Sequence, residues 1–294
     1  MRVPLSGQGD PRGRKGDVEM KSLRFVRMTL ALAAFVTANL FFFGLAQGAA
    51  ILFKVQLLPA ILALNVAAIA SVVLVTLLFG RVYCSVVCPM GVFQDIVIWI
   101  RRKIRPRSCF LTSGRESASP LHGLRWVSLG LTVVLVALGF VSLGALLDGY
   151  SLYGRIATQV FRPGYSLVHN LVAGLLADAG HPVLFREAVF VRGCCALAVA
   201  AVGLVGTVAL AWWKGRLFCN ALCPVGAALA LLSKRPLVKL SIDAGACVGC
   251  GLCAKTCKCG AIDVKAKRID NASCVRCCDC LGVCRKSAIG FKVT

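Results

Sequence analysis

The sequence predicts an α-helical membrane protein, in which a four-helix transmembrane bundle of two repeated hairpins precedes a small α+β domain. The mean hydropathy of the 294-residue chain is +0.80 and only 16% of its residues are charged, against about 25% in a soluble domain. Four apolar runs reach the roughly 20 residues that cross a bilayer: Phe25–Ala46, Leu57–Phe79, Leu124–Leu147 and Val189–Trp213. The predicted parts are a basic tail (1–24), a membrane domain (25–235) and a cysteine-rich domain (236–294).

The distribution of basic residues predicts the orientation of the chain. The net charge is +22, from 34 Lys+Arg against 12 Asp+Glu. Segments 1–24, 80–123 and 214–294 hold six, seven and 14 of the basic residues, whereas 47–56 and 148–188 hold one and three. Basic residues stay on the cytoplasmic side, so we expect a multi-pass protein of the bacterial inner (cytoplasmic) membrane with both termini in the cytoplasm.

Two further expectations follow from this charge bias. Membrane orientation accounts for most of the positive charge, so nucleic acid is not expected as a partner. Residues 148–176, in the long connection between the third and fourth runs, are expected to lie flat at the outer surface of the membrane.

Two segments, Gly80–Gly91 and Gly215–Gly226, align without gaps and form an internal repeat. Both contain a Gly-Arg pair, two cysteines separated by three residues, and a proline directly after the second cysteine. Each follows a span predicted to run inwards, so an axis along the membrane normal would bring four thiols together. They are Cys84, Cys88, Cys219 and Cys223. Three roles stay open: an iron–sulfur cluster, another metal site such as Zn²⁺, or dithiol pairs.

The C-terminal domain carries two cysteine sets with the spacing x₂-x₂-x₃. Three cysteines of one loop and a fourth from the other set hold each [4Fe–4S] cluster of a two-cluster ferredoxin. By that rule the first cluster is held by Cys247, Cys250, Cys253 and Cys284, and the second by Cys274, Cys277, Cys280 and Cys257. Zinc is the weaker alternative, because the duplicated series is more specific than isolated cysteine pairs. Short apolar runs at Ala261–Val264 and Ala288–Val293 predict strands of a bacterial-type 2[4Fe–4S] ferredoxin domain.

Four residues beside these cysteines carry weaker signals. Cys259 and Cys278 adjoin predicted ligands, and we expect them to be spectators. Lys258 and Arg285 replace the proline that usually follows the fourth cysteine, and we expect their charge to raise the potential of the neighbouring cluster.

The four spans, the two C-x₃-C-P motifs and the paired ferredoxin motifs resemble the NapH/MauN family of ferredoxin-like quinol dehydrogenase membrane subunits. Similar modules occur in proteins of the NosR and CcoG types. The resemblance implies a subunit that passes electrons between the quinone pool and another redox protein, rather than a stand-alone enzyme. It implies membrane lipid, quinone or quinol, and redox proteins as partners. The alternative is a redox-sensing or metal-reducing maturation or regulatory factor of the NosR/CcoG type.

Overall fold

The computed structural model describes residues 11–45, 65–105, 119–178 and 193–293, with isolated positions at 60, 61, 63, 185, 188 and 189. The helices of this part are α1 (Pro11–Phe42), α2 (Val66–Phe79), α3 (Tyr83–Val86), α4 (Pro89–Ile104), α5 (Ser119–Ala137), α6 (Val141–Gly144), α7 (Gly149–Ile156), α8 (Arg162–Asp178), α9 (Cys194–Lys214), α10 (Pro224–Leu232), α11 (Leu252–Thr256) and α12 (Asp279–Val283). The strands are β1 (Val238–Ile242), β2 (Ile262–Asp263), β3 (Arg268–Ile269) and β4 (Ile289–Val293). Two π-helical segments join α7 to α8 (Ala157–Phe161) and precede α10 (Phe218–Leu222).

Two helices in the described part of the chain are long and apolar enough to cross a membrane. They are Ser22–Phe42, within α1, and Cys194–Lys214, which is α9. Helix α2 and the segment Gly123–Ala137 of α5 are apolar but shorter. The expected bundle of four full-length spans is therefore met only in part, and residues 57–59 of the second predicted span lie outside the described residues.

The predicted third span, Leu124–Leu147, is wrong as a single helix. Helix α5 ends at Ala137, and the chain reverses at Gly139, whose φ of +84° favours glycine. The N–H of Phe140 bonds back to the carbonyl of Leu135 at 2.8 Å, which satisfies one of the last carbonyls of the helix. Helix α6 then folds back, so that a Cβ on Gly144 would lie 3.3 Å from a methyl of Val136.

The segment 148–176, which we expected to lie flat at an outer surface, has its first turns in the core instead. Helices α7 and α8, with the π-helical segment between them, form one continuous helix from Gly149 to Asp178. Its first turns enter the core, where Tyr153 and Ile156 are fully buried. Asp148 caps its N-terminus by accepting from the backbone N–H of Ser151 at 2.9 Å. The segment is apolar on its core side, which charge counting alone does not detect.

The C-terminal domain has the small α+β fold that the cysteine spacing predicted. Strand β1 pairs antiparallel with β4, the last strand, and β2 pairs antiparallel with β3. Both predicted strands are present, as Ile262–Asp263 and Ile289–Val293. The domain packs directly on the helices, because Val275 and Cys277 belong to the same buried core as Met90 and Tyr153. Its first strand is thereby held close to the end of α2.

Candidate metal centres

The repeated motif begins where a long helix stops. Gly80 ends α2 and Gly215 ends α9, with φ values of +77° and +68°. Other residues adopt this left-handed region at a cost of about 1–2 kcal/mol. The glycine of each motif therefore turns the chain sharply, so that the short segment with the first cysteine doubles back towards the core.

The arginine of each motif contacts the other repeat, and both arginines are fully buried. Arg81 donates from Nη2 to the carbonyl oxygen of Cys219 at 2.9 Å. Arg216 donates from Nη1 to the carbonyl oxygen of Cys84 at 3.0 Å. Each arginine thus fixes the first cysteine of the opposite repeat, a relationship that the sequence did not reveal.

The last glycine of each motif allows two segments of backbone to approach closely. A Cβ on Gly91 would lie 2.1 Å from the carbonyl oxygen of Cys84, and one on Gly226 would lie 2.1 Å from that of Cys219. Contacts this short are sterically forbidden for any side chain. The second cysteine of each motif, Cys88 or Cys223, is the N-cap of the helix that starts at the following proline.

The structure brings the four repeat thiols together around one cavity of about 320 Å³. Cys84, Cys88, Cys219 and Cys223 all line it, and all four are buried. Burial raises the pKa of Cys88, Cys219 and Cys223, and neighbouring thiols raise it further. Neutral thiols are therefore favoured while no metal compensates the charge of the thiolates.

The cavity has a wall that the sequence did not predict. Asp148, Gly149 and Tyr150 line it opposite the repeats. A Cβ on Gly149 would lie 3.6 Å from the sulfur of Cys223. Charge counting had assigned these residues to the other side of the membrane, so no sequence signal connected them with the thiols.

The predicted second cluster site also forms one cavity, of about 360 Å³. Its four predicted ligands line it together: Cys257, Cys274, Cys277 and Cys280. The exchange of one cysteine between the sets is thus compatible with the fold, since Cys257 comes from the other loop. Cys259 and Cys278, the expected spectators, line the same cavity. Burial raises the pKa of Cys278 to about 11.

The predicted first cluster site lies nearer the surface. Burial raises the pKa of Cys253, and the charges of Cys284 and Cys247 raise it further, so these three predicted ligands lie in one neighbourhood. The fourth, Cys250, is exposed. The two tail sites therefore differ in position: one has a ligand open to solvent, whereas the other borders the helical core.

Two carboxylates, the partly buried Asp95 and the buried Asp279, join the domain to the helices, and the sequence gave no sign of either. Asp95 binds Arg27 at 2.6 Å, Arg216 at 2.7 Å and Lys258 at 3.2 Å. Burial alone would raise the pKa of Asp95, but these three cations hold it far below its usual value.

The second carboxylate, Asp279, shares Lys258 with Asp95. Lys258 lies 3.0 Å from Asp279, which Arg24 and Arg102 also approach, at 3.2 and 3.6 Å. Lys258 is therefore paired with two carboxylates, whereas the expectation that its charge raises the potential of the neighbouring cluster stays a prediction. Arg285, by contrast, is exposed.

The two four-cysteine sets each line one cavity. Among the residues that the structure describes, no three His, Cys, Asp or Glu side chains are gathered closely enough to hold one metal ion. The four-cysteine sets instead surround cavities of about 320 and 360 Å³. A thiolate donor set around such a space is the set that holds iron–sulfur clusters.

The cysteine sites are of the kind found in ferredoxin-type iron–sulfur proteins. Residues 61–107 and 197–242 match the family model of a 4Fe-4S binding domain, and each match contains one repeat with its pair of cysteines. The chain is related to the NapH and MauN ferredoxin-type proteins, so the resemblance seen in the motifs is confirmed.

Three relatives illustrate the extent of this similarity. The methylamine utilization ferredoxin-type protein MauN of Methylobacillus flagellatus is 27% identical over 60% of this chain and 48% of its own. The ferredoxin-type protein NapH of Haemophilus influenzae is 26% identical over 66% and 54%. The putative electron transport protein YccM of Escherichia coli is 24% identical over 68% and 47%. The chain spans about half the length of these relatives. No solved structure matches it.

Proposed function

We propose that the chain is a membrane-bound iron–sulfur protein that passes electrons between the quinone pool and a redox partner. The observation that carries the proposal is the placement of the two tail sites. Cys250 of the first site is exposed, whereas Cys277 of the second is buried in the core of the repeats. Such a protein has one end open to a soluble partner and the other joined to the membrane helices. A bound [4Fe–4S] cluster supplies one-electron chemistry at each site.

The helices support a location in the membrane. Leu30 and Leu32 lie in the apolar segment Ser22–Phe42 of α1, and Val202 and Val205 lie in the apolar helix α9; all four are exposed. An apolar helix surface that is exposed along a whole span is stable in contact with lipid, whereas its exposure to water costs free energy. We propose the bacterial inner membrane, with both termini and the cysteine sites on the cytoplasmic side, in keeping with the distribution of Lys and Arg.

The quinone part of the proposal comes from the resemblance to quinol dehydrogenase subunits, and aromatic packing supports it. Tyr153 is surrounded by Phe35, Phe42, Phe93 and Phe161, with ring centroids 5.6–6.4 Å away. Its hydroxyl donates to Asn39 at 2.8 Å. This aromatic group lies in the same core as the repeat thiols, and therefore close to the electron-carrying part of the molecule.

The test is anaerobic purification of the full chain in detergent, followed by EPR before and after a menaquinol analogue is added. We expect two reducible [4Fe–4S] signals from the tail, and reduction of at least one by the quinol. The Cys274→Ala variant should lose one signal, whereas Cys195→Ala, at an exposed position of α9, should keep both. Clusters that dithionite reduces but quinol analogues never reduce would remove the quinone from the proposal.

One observation favours the second candidate, a redox-sensing or metal-reducing maturation factor. The four repeat cysteines are all free thiols within one cavity, and convergent thiols can reduce a metal or cycle with a disulfide. Rapid Cu²⁺ reduction that is lost in Cys219→Ala, with no quinol oxidation by the unmodified chain, would favour this function over electron transfer from quinol.

A further inference from the structure

We propose that the buried guanidinium of Arg276 raises the reduction potential of the second tail cluster above that of the first, so that electrons enter the tail at the second cluster. Arg276 is not a predicted ligand, and it acts through its charge. The role of this residue rests on the electron-transfer function proposed above, which it makes more specific. It can nevertheless be tested separately, because a potential is measured without any quinol.

Arg276 lies inside the cysteine loop of the second site, between Cys274 and Cys277. Its φ of +56° belongs to the left-handed region, which is uncommon for a residue other than glycine. Its backbone N–H donates to the sulfur of Cys274, and its carbonyl oxygen accepts from the thiol of Cys278 at 3.6 Å. The backbone of Arg276 is thus held directly beside the predicted ligands.

The guanidinium of Arg276 is buried and only partly hydrogen-bonded. The residue is 4% exposed, and its Nη2 donates to the carbonyl oxygen of Val238 at 3.0 Å. Its Nε and Nη1 have no hydrogen-bond partner, and no carboxylate pairs with it in the part of the chain that the structure describes. A buried charge without a counter-charge is costly. A negatively charged group in the neighbouring site offsets this cost.

Three elements enclose the side chain of Arg276. It leaves the cysteine loop, passes the glycine that ends α2 and reaches strand β1. A Cβ on Gly80 would lie 2.9 Å from the Nε of Arg276, and the bond to Val238 fixes the other end of the guanidinium. Solvent and salt screen a charge in such a position only weakly. The charge of Arg276 therefore acts on the cysteine site nearly undiminished.

The cysteines of the second site lie within the field of this guanidinium. Burial lowers the pKa of Arg276, whereas the charges of Cys274, Cys278 and Cys280 act in the opposite direction. Burial and the charge of Cys277 raise the pKa of Cys274 to about 12, and the charge of Arg276 opposes this rise. Cys274 and Cys280 both line the second cavity. The guanidinium and two predicted ligands of the second cluster thus lie in one neighbourhood.

Two further buried arginines approach the residues directly before Cys274. Arg81 donates to the carbonyl oxygen of Ala272 at 3.2 Å, and Arg125 donates to the hydroxyl of Ser273 at 3.1 Å. Neither arginine is more than 4% exposed. Both donate to neutral oxygens here, so their charges reinforce the positive field of Arg276 at the second site.

The other cations beside the tail sites differ from Arg276. Arg285, directly after Cys284 of the first site, is exposed, and solvent screens the charge of an exposed side chain. Lys258, beside the second site, is buried but paired with two carboxylates. The two sites therefore differ in the positive charge that acts on them without screening, and the second site has the larger share.

This difference affects the ease with which each cluster is reduced. The potential of an iron–sulfur cluster depends on its net charge, on hydrogen bonds to its sulfurs and on its exposure to solvent. Reduction adds one electron, and burial by itself disfavours the added negative charge. Buried cations favour it, so the arginines reverse the order that burial alone would produce. A quinol gives up its two electrons in two one-electron steps, and its two protons pass to solvent.

The experiment is a redox titration of the anaerobically purified full chain in detergent, followed by EPR. Cys247→Ala and Cys274→Ala identify the signals of the first and second clusters. In the unmodified protein we expect the second cluster to be reduced at the higher potential. Arg276→Met should lower the potential of the second cluster alone. The matched control, Arg285→Met, should leave that potential unchanged and lower the potential of the first cluster only slightly.

Two variants separate the charge of Arg276 from its role in packing. Arg276→Lys keeps the positive charge, whereas Arg276→Gln keeps a donor for Val238 without the charge. We expect the lysine variant to keep the potential near that of the unmodified protein, and the glutamine variant to lower it as methionine does. A purely structural role would affect the lysine and glutamine variants alike. If Arg276→Met loses the cluster, this pair decides the test, and retention of the cluster by lysine alone supports the role of the charge.

Thermal unfolding gives a second readout, which compares the cluster-free and the cluster-loaded protein. In the cluster-free protein the charge of Arg276 has no anionic partner, so its removal costs little. In the loaded protein the same change removes an attraction. Arg276→Met should therefore lower the unfolding temperature more in the loaded protein than in the cluster-free protein. Equal losses in the two states would show that the guanidinium does not act on the cluster.

The proposal and the function on which it rests fail in different ways. An unchanged potential of the second cluster in Arg276→Met, or a second cluster below the first in the unmodified protein, would overturn the role of Arg276 and leave the proposed function standing. Potentials ordered as expected, in clusters that no quinol analogue reduces, would instead overturn the quinone part of the proposed function and leave the role of Arg276 intact.

Discussion

Arg216 and Cys84 lie 132 residues apart in the sequence, yet Arg216 Nη1 donates to the carbonyl oxygen of Cys84 at 3.0 Å. The same guanidinium binds the carbonyl oxygen of Gly91 and the carboxylate of Asp95. It therefore holds both ends of the first cysteine motif in place. Arg81 acts on the second motif through neutral oxygens, with no carboxylate partner among the residues that the structure describes, and this asymmetry leads to the first prediction.

Arg216→Met should destabilise the cluster-free protein more than Arg81→Met. The first change leaves the partly buried Asp95 with one cation fewer, and breaking an ion pair costs up to about 3–5 kcal/mol when the pair is fully buried. The second removes hydrogen bonds to neutral acceptors, worth about 1.5–3 kcal/mol with a charged donor. Thermal unfolding in detergent measures both, with the exposed Arg268→Met as the control. Equal losses of thermal stability in Arg216→Met and Arg81→Met would show that the ion pair between Asp95 and Arg216 adds nothing to the stability of the protein.

Stability should fall in acid because of Asp95. Its folded pKa lies far below the value of about 3.9 in an unfolded chain. The stabilisation is therefore complete above about pH 5, and is lost as the pH falls through the unfolded pKa towards the folded one. Asp95→Asn should lower stability at neutral pH and flatten this acid dependence, in unfolding of the cluster-free protein from pH 7 to pH 3.

The control for this pH dependence is Asp263→Asn. Asp263 is exposed and lies 4.0 Å from Arg268, a separation at which a surface pair contributes about 0–1 kcal/mol. Its replacement should leave unchanged the loss of stability at low pH, which forms the acid limb of a plot of stability against pH. An acid limb that is identical for Asp95→Asn and the unmodified protein would refute the role assigned to Asp95.

Gly226→Ala should disrupt the packing of the second motif. The new Cβ would lie 2.1 Å from the carbonyl oxygen of Cys219 and 2.9 Å from Arg81, and overpacking of this kind costs about 1–3 kcal/mol or more. Gly164→Ala, on α8, meets nothing within 4 Å and should be neutral or slightly stabilising. The unfolding temperatures and iron contents of the two variants provide the comparison.

Cys257→Ala and Cys259→Ala should differ in their effect on the number of bound clusters, although both residues line the second tail cavity. Cys257 receives the N–H of Ala261 at 3.3 Å on its sulfur, as a cluster ligand does. Its replacement should remove or convert one cluster, whereas that of Cys259 should leave the number of clusters unchanged. Loss of four irons in Cys259→Ala would identify it as the ligand in place of Cys257.

The tail was the most predictable part of the fold, because cysteine spacing sets the lengths of its loops, whereas the exchange of ligands between the two sets stays a prediction. The strands at Ile262 and Ile289 followed from short apolar runs between these loops. The helices were less predictable. The sequence around Gly139 is apolar without interruption, so hydropathy extends the helix past a turn that depends on one backbone angle. Charge counting placed Tyr153 in a connection outside the membrane. It did not predict the burial of Tyr153 in the core, because the charges of loops carry no information about packing.

The sequence predicted the four cysteines of the candidate site, but it did not predict the residues that hold these cysteines in place. Cys84 and Cys219 stand out because the motif occurs twice. Asp95 has Ala230 at its matching position, so comparison of the repeats conceals it. Partnerships such as Arg81 with Cys219 depend on how the two copies face each other in space, which no local pattern encodes.

Because the arginine of each repeat binds the other repeat, the local structure of each copy depends on the sequence of the other. A substitution at Arg81 removes a hydrogen bond to the carbonyl oxygen of Cys219, and one at Arg216 removes a hydrogen bond to that of Cys84, so a change in one copy alters the support of the other. The glycines, arginines, cysteines and prolines of the motif are the same in the two copies, whereas Ser85 and Asn220, at matching positions, differ.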